Sequence, residues 1–399
     1  MKALAAIFVF FCFFPYVALI GLSTDTQPNA LTIGAILLVL MKDKKVTPTI
    51  VITWVLFGLS LFLILNNKLS TFDYVKNVLN YLSLALVTTT SYILFKRQEI
   101  RIPFKVFFGI LLVYLFFGLG QQYLSPNFGS IFLANMRGVM INGRGVVSLT
   151  PEPAFYGSIC LFFMIFSVLN YSKKQNYIAI PLLLAQMIIL SKSATSVAIL
   201  SLSLIIFTVI QILRLRVKYI AYTAVILAIL IPTFNSQLNE LESTRAGKLA
   251  ADFLRDPIQV TQVDLSVGVR LTGAVVPFLN AKYNNFRPMG LGHYKQFLSD
   301  LYVSGKCRKF LNPDIINEKD RVGGSMNMVL YQLGFLGLLF PVAIFLAFKA
   351  KLRESKYLIS CILFCCILFT QLQLMHSFIG FLLGFVMYKS RTDSAPATS

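Results

Sequence analysis

The chain has 399 residues, of which 57% are hydrophobic and only 13% are charged. The residues of a soluble domain are about one quarter charged, so this low charge content argues against a water-soluble fold. The apolar residues form long unbroken blocks, and this arrangement excludes the alternating pattern of an outer-membrane barrel. The net charge of +20 would suggest nucleic-acid binding in a soluble protein. Because the lysines and arginines lie between apolar blocks, we instead expect the lipid bilayer as partner and no nucleic acid.

Twelve apolar blocks predict an all-α polytopic membrane protein with about 12 transmembrane helices. The blocks lie near residues 4–22, 28–41, 48–66, 77–95, 102–120, 153–170, 176–191, 193–213, 218–234, 326–348, 357–372 and 374–388. The chain therefore divides into helices 1–9 (residues 1–234), a large loop (235–325), and helices 10–12 with a polar tail (326–399).

The connections between the blocks predict the orientation. Every second connection is compact and basic: Lys42/Lys44/Lys45, Lys96/Arg97/Arg101, Lys173/Lys174, Arg214/Arg216/Lys218 and Lys349/Lys351/Arg353/Lys356. Basic loops stay in the cytoplasm, so both termini are predicted inside a bacterial inner membrane. Two long segments, 121–152 and 235–325, are then predicted on the periplasmic face, the second forming short helices packed on the bundle.

Arginines concentrate in these two outside segments, at Arg137, Arg144, Arg245, Arg255, Arg270, Arg287, Arg308 and Arg321. Guanidinium groups are always charged and bind phosphate oxygens in a fork, so this group indicates an anionic, lipid-linked substrate. The alternative is that individual arginines are solvated or paired with acidic residues of the large loop.

The most informative local motif is RGVVSLTPEPAFYG, at residues 144–157. Glu152 lies between two prolines at the start of a predicted helix, where the helix dipole favours a carboxylate. It is therefore either a structural cap or a group that faces a sugar or holds a substrate-binding arginine.

Two other positions are candidates for chemistry. Residues 191–196 (SKSATS) join two predicted helices, and their hydroxyls and Lys192 are suited either to capping or to holding an anion at a helix N-terminus. His293 follows a Gly-Leu-Gly sequence in the large loop and is a candidate general base or acid. No CxxC pair, nucleotide loop or metal-binding motif occurs in the sequence, so we expect no cofactor and no metal.

These motifs resemble the O-antigen ligase/polymerase superfamily. Residues 144–157 resemble the arginine–EP segment of the Wzy-type O-antigen polymerases. In this superfamily the large periplasmic loop carries an arginine and a P-x-G-x-G stretch, which Arg270 and FRPMGLGHY (286–294) resemble. Residues 326–338 resemble the segment that follows this loop in the superfamily. The Ser191–Ser196 turn fits the family loosely. Ligases of the superfamily carry a histidine just before the helix at 326, where this chain has Gly323-Gly324-Ser325-Met326-Asn327.

The resemblance implies a GT-C-like fold and a glycosyltransferase that acts without a metal. A hydroxyl of one lipid-linked repeat unit attacks the anomeric carbon of an undecaprenyl-diphosphate-linked oligosaccharide, and undecaprenyl diphosphate leaves. The catalytic residues expected are Arg270, Glu152 and His293, and the substrate-binding residues are Arg137, Arg144, Arg287, Lys192 and Tyr294. The resemblance also implies a separate co-polymerase that regulates chain length in lipopolysaccharide biosynthesis.

Two alternatives share parts of this pattern. An O-antigen ligase would transfer polymer to the lipid A core, and the missing histidine argues against it. A lipid-linked oligosaccharide flippase would also have about a dozen spans, but such transporters show internal repeats and short loops on both faces. This chain shows no repeat and has long arginine-rich outside loops.

Overall fold

The computed structural model describes residues 1–18, 25–41, 47–137, 139–140, 144–214, 252, 255–256, 265–308, 322–370 and 372–392. Within these ranges the regular elements are helical, which confirms the all-α prediction for this part of the chain. The longer helices are α1 (Lys2–Phe13), α2 (Asn29–Met41), α3 (Pro48–Phe62), α4 (Thr71–Lys96), α5 (Phe104–Tyr123), α6 (Pro153–Asn170), α7 (Lys173–Ala185), α8 (Ala194–Leu213), α9 (Leu265–Asn284), α10 (Tyr294–Val303), α11 (Ser325–Leu333), α12 (Leu339–Phe348), α13 (Ser355–Thr370) and α14 (Ser377–Thr392).

Five segments are long and apolar enough to cross a membrane, namely α4, α5, α6, α8 and the stretch Ser325–Lys351 that contains α11 and α12. The apolar helices α1, α2, α3 and α13 are shorter than the roughly 20 residues that a bilayer core requires. This is the architecture of a helical membrane protein. Each predicted block except the ninth overlaps a described helix, and the ninth, 218–234, lies outside the described residues; a total of twelve spans stays a prediction.

Two predicted helix boundaries are wrong, and each has a local cause. The first block was expected to continue to residue 22, but α1 ends at Phe13 because Pro15 disfavours a helical conformation in the residue before it. The block 326–348 was expected to be one helix, but it breaks at Gly334, which has a φ of +57° and begins a 3₁₀ turn, Gly334–Leu338. A β-carbon at Gly334 would collide with the carbonyl oxygen of Phe286, so the large loop packs directly on the break.

Helix α4 lies at the centre of the bundle and is buried from Tyr81 onward along most of its length. Helix α14 packs against it through Gly380 and Gly384, which are four residues apart. A β-carbon at Gly380 would lie 2.9 Å from the Val87 Cβ, and one at Gly384 would lie 2.7 Å from the Tyr92 nitrogen. This small-xxx-small spacing lets two helix backbones approach closely, which is a common way to pack helices in a bilayer.

Phenylalanines fill the space between α1, α5, α6 and α14. The Phe13 ring lies within 5.0 to 5.4 Å of the rings of Phe163, Phe166, Phe378 and Phe381. Three of these four contacts are edge-to-face, a geometry that stabilises a core beyond simple area burial. They pack the C-terminal half of α6 against α1 and α14.

Two helices of the predicted large loop, α9 and α10, pack together around Val276, Phe297 and Leu298. Backbone hydrogen bonds join the connection between them to the bundle: the Lys68 N–H donates to the Leu291 carbonyl at 3.0 Å, and the Gly290 N–H donates to the Gln332 carbonyl at 3.1 Å. The described part of the loop is therefore attached to the α3–α4 connection and to α11.

Candidate functional site

Residues 145–151 form a buried, non-helical segment between α5 and α6, although this region was expected to be an outside loop. Backbone groups in such a place need partners, and Gln121 supplies them. Its Oε1 accepts from the N–H groups of Val147 (3.0 Å) and Ser148 (2.6 Å), and its Nε2 donates to the carbonyls of Ser148 (2.9 Å) and Phe128 (3.0 Å). Ser148 has a φ of +53°, and its hydroxyl donates to the Tyr114 carbonyl at 2.6 Å.

The buried segment lies directly against the α7–α8 turn. The Val146 N–H donates to the Leu190 carbonyl at 2.8 Å, and a β-carbon at Gly145 would collide with that same carbonyl. Arg144 and Lys192 consequently extend from neighbouring stretches of backbone. Neither side chain has a hydrogen bond or ion pair with any residue that the structure describes, and Lys192 is exposed with a φ of +46°.

The turn leads into the N-terminus of α8, where the Ser193 hydroxyl accepts from the Ser196 N–H at 3.2 Å. Of the two alternatives for this serine-rich turn, capping is therefore confirmed, and anion binding that involves Lys192 stays a prediction. Helix α6 crosses close by, because a β-carbon at Gly157 would come within 2.8 Å of the Ser193 Cβ. The start of α8 and the first turns of α6 thus meet at one end of the bundle.

Arg270 reaches the same place from α9. Its Nη1 donates to the Thr195 hydroxyl at 2.7 Å, in the first turn of α8. Two of the motifs that were found separately in the sequence, the Arg270 region and the SKSATS turn, are therefore in contact. We call Arg144, Lys192 and Arg270 the cation group; it carries three positive charges at a helix N-terminus, a position that favours an anion.

Beside the cation group lies an ion-pair cluster that we call the carboxylate triad: Asp25, Arg137 and Glu152. The Arg137 Nη2 is 2.6 Å from Asp25 Oδ2 and 3.1 Å from Glu152 Oε1. The side chains of Asp25 and Glu152 are 16% and 28% exposed. Glu152 is the N-cap residue of α6 but its side chain caps no N–H group, so the contact with Arg137, and not helix capping, fixes its carboxylate.

The remaining predicted site residues, Arg287, His293 and Tyr294, lie elsewhere. The Asn280 amide donates to the Arg287 carbonyl at 2.9 Å, and Asn280 is ten residues, roughly 15 Å of helix, beyond Arg270. Tyr294 is buried, which raises the pKa of its phenol, and with Gly290, Gly292 and six further residues it lines a cavity of about 20 Å³. His293 is the N-cap residue of α10.

The structure therefore brings five of the eight predicted residues, Arg137, Arg144, Glu152, Lys192 and Arg270, to one end of the bundle. Asp25 and Gln121 were not predicted. Asp25 binds Arg137, 112 residues away, and Gln121 binds Val147 and Ser148, 26 and 27 residues away, so no local pattern indicated these roles. No group of three or more potential metal ligands (His, Cys, Asp or Glu) occurs among the described residues.

Comparison with models of known protein families and with curated proteins found no match. The architecture and the arrangement of the site are therefore the basis for the function inferred below.

Proposed function

We propose that this protein is an O-antigen polymerase, a glycosyltransferase that joins lipid-linked oligosaccharide repeat units at the periplasmic face of the bacterial inner membrane. The observation that carries the proposal is that Arg144 and Lys192 extend from adjacent stretches of backbone and that Arg270 binds Thr195 in the first turn of α8. The partly exposed carboxylates of the triad lie at the start of the neighbouring helix α6. A diphosphate and a sugar hydroxyl are the two groups that such a reaction has to hold.

The cation group is suited to the diphosphate. Arginine forks and a lysine ammonium bind phosphate oxygens with charge-assisted hydrogen bonds. When the bond between the anomeric carbon and the diphosphate oxygen breaks, negative charge develops on that oxygen, and preorganised cations stabilise it. Arg137 is less suited to this role, because two carboxylates already bind it.

The charge distribution along the helices supports the periplasmic location. The cation group and the triad lie at the N-terminal ends of α6 and α8. The opposite ends of the same helices are followed by Lys173 and Lys174 and by Arg214. Because compact basic loops stay in the cytoplasm, the site belongs on the other face.

The test is deletion of the gene followed by electrophoresis of lipopolysaccharide. Loss of a polymerase leaves the core capped with a single repeat unit, and this is the expected result. Bare core with polymer accumulating on the lipid carrier would identify a ligase instead, and bare core without periplasmic polymer would identify a flippase.

Complementation of the deletion strain then tests the site. We expect Arg270→Ala and Arg270→Lys both to leave single-repeat core, because lysine cannot reproduce the guanidinium fork. The matched control is Lys282→Ala, which removes an exposed cation from the same helix and should restore full polymer. Polymer of wild-type length in the Arg270→Ala strain, at equal protein level, would contradict the assignment of Arg270.

A further inference from the structure

The carboxylate triad has two negative charges and one positive charge. One guanidinium serves two carboxylates through a single nitrogen, Arg137 Nη2, so Asp25, Arg137 and Glu152 together carry a net charge of −1. An anionic diphosphate is repelled by such a cluster and attracted by the neighbouring cation group. The triad and the cation group are therefore suited to chemically different parts of a substrate.

Both carboxylates keep acceptor capacity. Among the residues that the structure describes, Asp25 and Glu152 each bind only Arg137 through their side chains, and each uses one oxygen for that contact. Both side chains remain partly exposed, at 16% and 28%. A carboxylate accepts several hydrogen bonds and donates none when ionised, so these two groups are suited to neutral donors such as sugar hydroxyls.

An aromatic ring lies one turn from Glu152. Phe155 lies in the first turn of α6, three residues after Glu152, is partly exposed, and its ring stacks on Tyr16 with the centroids 5.7 Å apart. Sugar rings present C–H groups on one face, and aromatic side chains pack against such apolar faces. Paired carboxylates beside an aromatic ring thus provide both kinds of contact that a sugar offers.

We propose that Asp25, Glu152 and Phe155 form the subsite for the acceptor sugar, an inference that rests on the proposed glycosyltransferase function. Asp25 binds a neighbouring hydroxyl and positions the sugar. Glu152 takes the proton of the attacking hydroxyl as its oxygen bonds to the anomeric carbon and the bond from that carbon to the diphosphate oxygen breaks. The electron pair leaves with the diphosphate, which the cation group holds, and Glu152 then releases its proton to solvent.

The experiment uses the full-length protein in lipid nanodiscs with two separate probes. Undecaprenyl diphosphate without sugar measures binding at the cation group. The repeat-unit oligosaccharide, prepared as its methyl glycoside, lacks a diphosphate and acts only as an acceptor for the lipid-linked donor. For Asp25→Asn we expect the acceptor KM to rise about tenfold, the loss of one charge-assisted hydrogen bond, while the Kd for undecaprenyl diphosphate does not increase.

Two further variants test the acceptor subsite, and a third serves as the control. Glu152→Gln should lower kcat with a smaller effect on the acceptor KM, and Phe155→Leu should raise the acceptor KM without weakening diphosphate binding. Asp300→Asn removes an exposed carboxylate from α10 and is the matched control, with wild-type values expected. If Asp25→Asn does not fold, Asp25→Glu is measured in its place, and its acceptor KM should also rise because the longer side chain displaces the carboxylate.

The outcomes separate the two proposals. A wild-type protein that neither binds undecaprenyl diphosphate nor forms polymer would reject the proposed function, and the subsite with it. A protein that polymerises normally but keeps a wild-type acceptor KM in Asp25→Asn and Phe155→Leu would reject the subsite alone.

Discussion

Replacing Gln121 with leucine removes four hydrogen bonds while keeping a side chain of similar size. Three of the backbone groups that lose a partner are buried: the N–H groups of Val147 and Ser148 and the carbonyl of Ser148. A buried polar group without a partner costs about 1–3 kcal/mol, so the substitution should destabilise the 145–151 segment by about 3–9 kcal/mol. We expect purified Gln121→Leu protein to melt at least about 5 °C below the wild type.

The neighbouring residue provides the control. Gln122 is in the same helix, and its side chain has no hydrogen bond with any described residue. Gln122→Leu should therefore melt close to the wild-type temperature in the same detergent. A Gln121→Leu protein that melts within about 1 °C of this control would refute the argument that Gln121 holds the buried segment.

Two further predictions concern the backbone and the orientation. Gly145→Ala should lower the thermal stability and the polymer length because the added methyl group collides with a backbone carbonyl, whereas Gly109→Ala, in open space on α5, should leave both unchanged. For the orientation, Ser304→Cys should react with a membrane-impermeant maleimide in intact spheroplasts and Arg353→Cys only after lysis, since both positions are exposed at opposite predicted faces. Native Cys307 should stay unlabelled in intact and in lysed spheroplasts, because it is 1% exposed and burial raises the pKa of its thiol. Labelling of Arg353→Cys in intact spheroplasts would reverse the predicted orientation.

The positions of the helices were largely predictable because hydrophobicity over a stretch of about 20 residues is a strong and local signal. The ends were not, because they depend on single residues and on distant contacts. Pro15 ends α1 inside an apolar run that continues past it. The break at Gly334 depends on the approach of Phe286 from the large loop, and no pattern within residues 326–348 reveals that approach.

The site residues also differ in whether a local sequence pattern or a distant contact determines their position. Arg144, Glu152 and Lys192 were recognisable from local motifs, and the contact of Arg270 with Thr195 joins two of these motifs. Asp25 lies outside any motif, and only the folded chain brings it to Arg137, 112 residues away. The 145–151 segment was expected to be an outside loop because it has no long apolar run. Its burial depends on Gln121, a polar residue near the end of α5 whose role is visible only in the fold.

The attachment of the α9–α10 connection to the bundle determines how the large loop can move. Amide protons that are hydrogen-bonded across two elements exchange with solvent only when those elements separate. The Gly290 and Lys68 amides bond across the boundary between loop and bundle, so in deuterated buffer they should exchange as slowly as the amides of α4. Equal exchange rates would show that the described loop helices and the bundle open as one cooperative unit, with no separate hinged movement of α9.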